Sequence, residues 1–168
     1  MKVIKILFLP VFVFGVVVLG LFFASKPAEA ADRFLYWPVP SNLSIECDKG
    51  CYPNHLGIDV KVATDNTSKI LAAGSGQVVA IQTGKVYGYN RNPADGYGNY
   101  VKVKHGNGMY TVYAHMKDDI QVSLNQTVVT GQLLGYGSNS GQTCGTQAAG
   151  VGCGGQVGTL YHLHFEVI

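Results

Sequence analysis

Two short segments of this chain concentrate the side chains best suited to holding a metal ion. His55-Leu56-Gly57-Ile58-Asp59 sets an imidazole and a carboxylate four positions apart, and His162-Leu163-His164-Phe165-Glu166 carries polar side chains at alternate positions. In an extended strand, alternate residues share a face. One face of the first segment therefore carries His55, Gly57 and Asp59, and the other Leu56, Ile58 and Val60. In the second, His162, His164 and Glu166 oppose Tyr161, Leu163, Phe165 and Val167. Each segment reads as a strand with an apolar face to bury and nitrogen and oxygen donors on the reverse. Gly57 would leave space between its two polar neighbours. Two imidazoles and one carboxylate leave zinc a fourth position for water, which is the arrangement of a catalytic site. Strands suit it because ligands must be held rigidly. Alone, the first segment reads better as surface residues on an amphipathic strand and the second equally well so; the two together favour a site.

Three further groups bear on the chemistry. Tyr113-Ala114-His115 ends another apolar run, with Tyr113 and His115 expected on one face and Val112, Ala114 and Met116 on the other. A lone histidine in that setting is ordinarily structural. His105 shares a face with Val101 and Val103 at the head of a turn and is read as structural. Asp118 and Asp119 fall in a turn and are read as solvated.

The elements that must position these groups are strands. The pattern is short runs rich in Val, Ile and Tyr between turn residues, with 22 glycines in the chain and hardly any helical periodicity, which is an all-β signature. The expected strands are His55–Val62, Lys69–Ala72, Gly76–Gln82, Asn99–His105, Met109–His115, Gln132–Tyr136 and Tyr161–Val167. His105-Gly106-Asn107-Gly108-Met109 is a hairpin turn. Pro38 and Pro40 exclude a helix in Asp32–Pro40. The long Gly-rich stretches Gly84–Gly98 and Gly137–Thr159 read as loops, functional or disordered, the second held in shape by a local disulfide.

The N-terminus has a different character. Two lysines in Met1–Lys5 precede 20 uncharged residues, Ile6–Ser25, and then Ala28-Glu29-Ala30. A positive start, an apolar middle and an A-x-A exit describe a secretory signal peptide over residues 1–30, leaving a single domain over 31–168. About 20 such residues also suffice to cross a bilayer, so an uncleaved anchor is the rival. A membrane association is expected only in that case. Cleavage after Ala30 removes Lys2, Lys5, Lys26 and Glu29, taking Lys plus Arg from 12 to 9 and Asp plus Glu from 10 to 9. A neutral domain without a basic stripe is a poor nucleic-acid ligand, and none is expected. In an exported chain the four cysteines read as disulfides. Three connectivities are open; the local pairs Cys47–Cys51 and Cys144–Cys153 are preferred over a four-cysteine zinc site, which lacks short C-x-x-C pairs.

In combination, His55-x-x-x-Asp59, Tyr113-Ala114-His115 and His162-Leu163-His164-Phe165-Glu166 resemble the lysostaphin-type (LytM-like) zinc metallopeptidases. Ala72-Ala73-Gly74-Ser75-Gly76-Gln77-Val78-Val79, Gly98–His105 and Gly131-Gln132-Leu133-Leu134-Gly135 agree, so the resemblance covers roughly Tyr36 to the end. It implies a small, mostly antiparallel β domain with an open groove, one Zn²⁺ per chain, and hydrolysis of peptide bonds in bacterial peptidoglycan outside the cytoplasm. It further implies His55, Asp59 and His164 as zinc ligands and His115 and His162 as the catalytic pair that does not bind metal. The chain departs from the family in its long cysteine-bearing loop before His162 and in Tyr161, where a small residue or proline is usual. It also stops at Ile168, where relatives often continue, which reads as a truncated gene or a loosely held last strand. The family's upstream active-site tyrosine has no motif here to place it; Tyr52 is a candidate on position alone.

No nucleophilic side chain is required: oxidised cysteines are unsuited and there is no G-x-S-x-G elbow. The rival from another class is a non-catalytic module that binds peptidoglycan or regulates a hydrolase. Its structural zinc would be closed by His162 or Glu166 as a fourth ligand. A lipoyl-like carrier hairpin needs a lysine at its tip, and Gly74-Ser75-Gly76 has none.

Overall fold

Val78, Val101, Val103, Tyr113, Leu163 and Phe165 stand at alternate positions of neighbouring strands, and all are buried. The pairs Val78↔Val103, Val101↔Tyr113 and Tyr113↔Phe165 carry this apolar face across the sheet. Those residues, with Val60, Ile70, Met116, Val128 and Leu134, form the core. The structure, a computed structural model, describes residues 35–51, 54–85, 96–143 and 160–168, which lie within one compact unit, Asp32–Ile168.

The strands are β1 (Ile45–Cys47), β2 (Ile58–Lys61), β3 (Lys69–Leu71), β4 (Gly76–Gln82), β5 (Asn99–His105), β6 (Tyr110–Met116), β7 (Thr127–Val128), β8 (Leu133–Tyr136) and β9 (His162–Val167). Seven form one sheet in the order β1-β2-β9-β6-β5-β4-β7, and β3 pairs with β8. All these pairings are antiparallel. Among the described residues there is no helix, and hence none long and apolar enough to cross a membrane. The all-β expectation holds, including the β5–β6 turn, where the His105 amide donates to the Met109 carbonyl and the Gly108 amide to that of His105.

Three expectations are corrected. The last strand is not loosely held: β9 lies between β2 and β6 and is hydrogen-bonded on both sides, and Ile168 exchanges two backbone hydrogen bonds with Tyr110. The first ligand segment is extended only from Ile58, so His55 precedes β2 rather than belonging to it. Leu56, expected to face the core, is 59% exposed. Two short strands, β1 and β7, had too few alternating residues to be seen in advance. Cys47 and Cys51 are disulfide-bonded. Cys144, Cys153, Tyr52 and the N-terminal segment lie outside the described residues.

Gly57 is needed for a reason different from the one expected. A Cβ built there would stand 2.4 Å from the Phe165 carbonyl oxygen and 3.0 Å from His164 Cε1. The missing side chain lets β9 approach, rather than opening space between His55 and Asp59. Gly57→Ala is therefore expected to destabilise the domain by about 1–3 kcal/mol through overpacking against backbone. Gly106→Ala, which meets nothing within 4 Å, should stay within about 0.5 kcal/mol of wild type. Denaturant unfolding of the two variants checks the contrast.

Candidate metal centre

The β2–β9 register sets Asp59 opposite His164, so the two side chains leave the sheet on the same face. His55 joins them from the segment before β2, following Asn54 in the left-handed conformation (φ 66°), which asparagine tolerates better than most residues. His55 Nε2 is 3.1 Å from Asp59 Oδ1 and 3.1 Å from His164 Nδ1, and His164 Nδ1 is 2.8 Å from Asp59 Oδ1. All three residues are buried.

The donors fit zinc in spacing and in protonation. Two atoms bound 2.0–2.1 Å from a tetrahedral zinc lie roughly 3.3 Å apart, close to the separations just given. His55 Nδ1 is 2.8 Å from the Asp48 carbonyl, and His164 Nε2 is 2.8 Å from Glu166 Oε1. A carbonyl or carboxylate oxygen only accepts, so each of those nitrogens carries the hydrogen. That leaves His55 Nε2 and His164 Nδ1 as the inward lone pairs a metal requires. Two lone pairs facing a carboxylate at this distance call for a cation or a proton between them.

The electrostatics agree. Burial acts to raise the Asp59 pKa, but hydrogen bonds from His164 and His55 and the nearby His162 outweigh it, bringing the carboxyl to about 2. Burial acts to lower His164, and its bonds to Asp59 and Glu166 overcome this and raise it to about 9. His115 is driven well below the usual histidine value, by burial first and then by His162 and His164. His162 is lowered chiefly by burial, against the pull of Asp59.

In chelator-treated protein these shifts have opposite signs in stability. The His164 contribution is complete below about pH 6.5 and is lost as pH rises through about 9; the Asp59 contribution is lost only as pH falls towards 2. His115 and His162 resist protonation in the fold, so they cost stability as pH falls below about 6.5. Thermal unfolding in chelator is therefore expected to peak near pH 6.5. A zinc ion held by His164 would abolish the decline between about pH 7 and 9 by replacing its proton.

His115 reaches this site by an exception to strand alternation. Ala114 pairs with His164 and Tyr113 with Phe165, so Ala114 is on the site face and Tyr113 in the core. The expectation that Tyr113 and His115 share a face is thus wrong. His115 adopts φ 58°, a conformation costly for a residue with a Cβ and typical of functional positions. Its ring lies 4.7 Å from that of His162 and 5.9 Å from that of His164. His115 Nδ1–H donates to the Ser140 carbonyl at 2.8 Å, which leaves Nε2 as its unprotonated nitrogen. His162 Nδ1 faces the Leu160 carbonyl at 3.3 Å, and its Nε2 is 3.6 Å from Asp59 Oδ1.

Two contributors, Ser140 and Tyr97, carry no sequence signal, and a third, Glu166, has a place other than the one expected. Ser140 accepts from Asn99 N and donates to the Met116 carbonyl through its hydroxyl, fixing the carbonyl that orients His115. Tyr97 stacks 5.9 Å from the His164 ring and donates from its hydroxyl to Glu166 Oε2 at 2.9 Å. Burial first, then Glu166, pushes that phenol well above its usual pKa. Glu166 lies behind His164 with both oxygens engaged, which removes it as a fourth ligand. His105 is structural as expected, bonded to the Ser75 carbonyl and the Thr111 hydroxyl. Asp118 and Asp119 are exposed.

Fold and site define a class: a small antiparallel β domain bearing a buried His-Asp-His donor set on one sheet face, with two more imidazoles beside it. The sequence profile of Peptidase family M23 matches residues 53–168, and the chain belongs to that family. Among solved structures it is similar to a putative M23 peptidase from Pseudomonas aeruginosa, with 26% identity, a TM-score of 0.53 and coverage of 82% of this chain and 45% of that one. A zinc-containing peptidase from Vibrio cholerae gives 23% identity and a TM-score of 0.58 over 82% of this chain and 37% of that one. Lysostaphin from Staphylococcus simulans gives 22% and 0.55 over 82% and 47%; at these identities the last two bear on the fold alone. The chain spans less than half the length of each of these three. No curated protein sequence matches it.

Proposed function

We propose that the chain is an exported zinc endopeptidase that cleaves peptide bonds in bacterial peptidoglycan. His55, Asp59 and His164 hold one zinc ion, and His115 and His162 move protons. The mature domain begins near Ala31, after a signal peptide, and Cys144 pairs with Cys153. The observation that carries the reading is the set of imidazole tautomers. Each ligand histidine has its outward nitrogen committed to an oxygen acceptor, and His115 is held neutral with a free Nε2 beside them.

Zinc bound there would supply Lewis acidity, lowering the pKa of water to about 7 and polarising a carbonyl. The protein's own part is proton transfer and positioning. A buried imidazole that is neutral at pH 7 accepts the proton of the attacking water on Nε2. Once charged, the His115–His162 pair can return that proton to the leaving amine and donate to the developing oxyanion. The carbonyl of Ser140 holds His115 in the tautomer this requires.

Purified peptidoglycans with glycine bridges or with D-alanyl cross-links would be digested, and the fragments analysed by mass spectrometry. Cleavage is expected for at least one substrate, abolished by chelation and restored by zinc. His55→Ala, Asp59→Ala and His164→Ala should each lose both metal and cleavage. Wild-type protein that holds zinc yet cuts no peptidoglycan would instead establish the non-catalytic, regulatory module. N-terminal sequencing of exported protein tests the start at Ala31.

A further inference from the structure

His55 is tied to a part of the chain that neither the metal nor the catalytic pair involves. The turn Asp48–Cys51, closed by the Cys51 amide donating to the Asp48 carbonyl at 3.0 Å, grips His55 at two points. The Gly50 amide donates to the His55 carbonyl at 2.9 Å. His55 Nδ1–H donates to the Asp48 carbonyl at 2.8 Å. The Cys47–Cys51 bridge spans this turn, and its sulfurs pack 3.7 and 3.5 Å from His55 Nδ1. Cys51 is exposed.

We propose that the Cys47–Cys51 disulfide is a positioning device for the metal centre, clamping the Asp48 carbonyl onto His55 so that Nε2 is the nitrogen presented to zinc. The bridge closes a short loop, where the constraint on the unfolded chain is at its smallest, and its contacts with His55 add an effect on local geometry. A carbonyl that accepts from a ligand imidazole fixes both its tautomer and its ring orientation, and loss of such a partner typically weakens metal binding by about 10–100-fold. With the bridge open, the turn is held only by its backbone hydrogen bonds, and His55 can rotate or carry its hydrogen on Nε2. Zinc retention then depends on oxidation of a bridge that reductant in solvent can reach.

The inference rests on the reading of His55 as a zinc ligand, and the test separates the two. Zinc affinity of the full chain is measured by competition with a chromophoric chelator. Wild type, Cys47→Ala/Cys51→Ala and His55→Ala are compared, alongside wild type and Cys144→Ala/Cys153→Ala reduced by a phosphine. In that reduction the bridge takes up two electrons and two protons, giving two thiols, and the phosphine becomes its oxide. Zinc binding is expected to weaken about 10–100-fold in Cys47→Ala/Cys51→Ala, while the reduced proteins are read by the His55 tautomer alone, because their paired thiols beside His55 can themselves take zinc. The nitrogen-15 shifts of His55 in metal-free protein should change from a single Nδ1–H tautomer to a mixture. That last signal would not respond to a general loss of stability, and the reduced wild type supplies it if the double variant does not fold. Affinity within twofold of the oxidised protein together with an unchanged tautomer overturns the proposal. Unimpaired zinc binding by His55→Ala overturns the ligand reading itself.

Discussion

His115→Ala and His162→Ala are each expected to keep close to one zinc per chain while peptidoglycan cleavage falls by roughly 10²–10⁴-fold, the loss typical of a positioned acid or base. The expectation rests on where their nitrogens go. Among the described residues, the donor atoms of His55, Asp59 and His164 form one group within 4.8 Å. The second such group, Cys47 and Cys51 with His55, has its two sulfurs bonded to each other. His115 Nδ1–H is taken by Ser140, and His162 Nε2 stands back at 3.6 Å from Asp59 Oδ1. Removing either ring leaves the donor set whole but takes away a proton carrier held neutral by burial. Zinc content by elemental analysis, beside kcat/KM on the best substrate, checks both halves. If His162→Ala strips the metal, His162 is a fourth ligand, the site is closed, and the structural-zinc reading takes over. If both variants cleave at near wild-type rates, the catalytic assignment is wrong whatever the metal does.

What could be read in the sequence and what could not divide along physical lines. The Val-, Ile- and Tyr-rich runs at Gly76–Gln82 and Asn99–His105 match β4 and β5 to the residue, and in β5 burial follows the two-position repeat of a half-buried strand. The same rule brings Asp59 and His164 to one face. It fails at His115, since the rule assumes extended backbone throughout and one residue at φ 58° moves the imidazole onto the site face. Only the family resemblance placed that residue at the site. Ser140 and Tyr97 sit in irregular segments whose residues owe their places to contacts distant in sequence, and no local pattern announces them. Tyr97 is a tyrosine at the site among the described residues, whereas Tyr52, suggested by position alone, lies outside them. Glu166 was visible as a donor on the right face, but its function depends on which oxygen meets which nitrogen, and periodicity is silent on that.

Glu166→Ala is expected to weaken zinc binding by about 10–100-fold although Glu166 does not touch the metal. The carboxylate accepts from His164 Nε2–H through Oε1 and from the Tyr97 hydroxyl through Oε2, so it fixes which His164 nitrogen is left for zinc and makes that nitrogen more electron-rich. Without it, the imidazole can place its hydrogen on Nδ1, facing Asp59, and zinc must then displace that proton. The buried His164 N–H also loses its acceptor, at a cost of about 1–3 kcal/mol, whereas the hydroxyl of the partly exposed Tyr97 can turn to water. Glu166→Gln divides the two effects. An amide keeps the shape, accepting from His164 Nε2–H through its oxygen and donating to the Tyr97 hydroxyl through its nitrogen, since a phenol also accepts, but it brings no negative charge to His164. Its zinc affinity should fall between those of wild type and Glu166→Ala, with a smaller loss of stability. Competition titrations for zinc and thermal unfolding in chelator separate affinity from folding. Should Glu166→Ala bind zinc as wild type does, orientation of His164 must come from Asp59 and from packing against Tyr97, and the carboxylate serves only to satisfy the tyrosine.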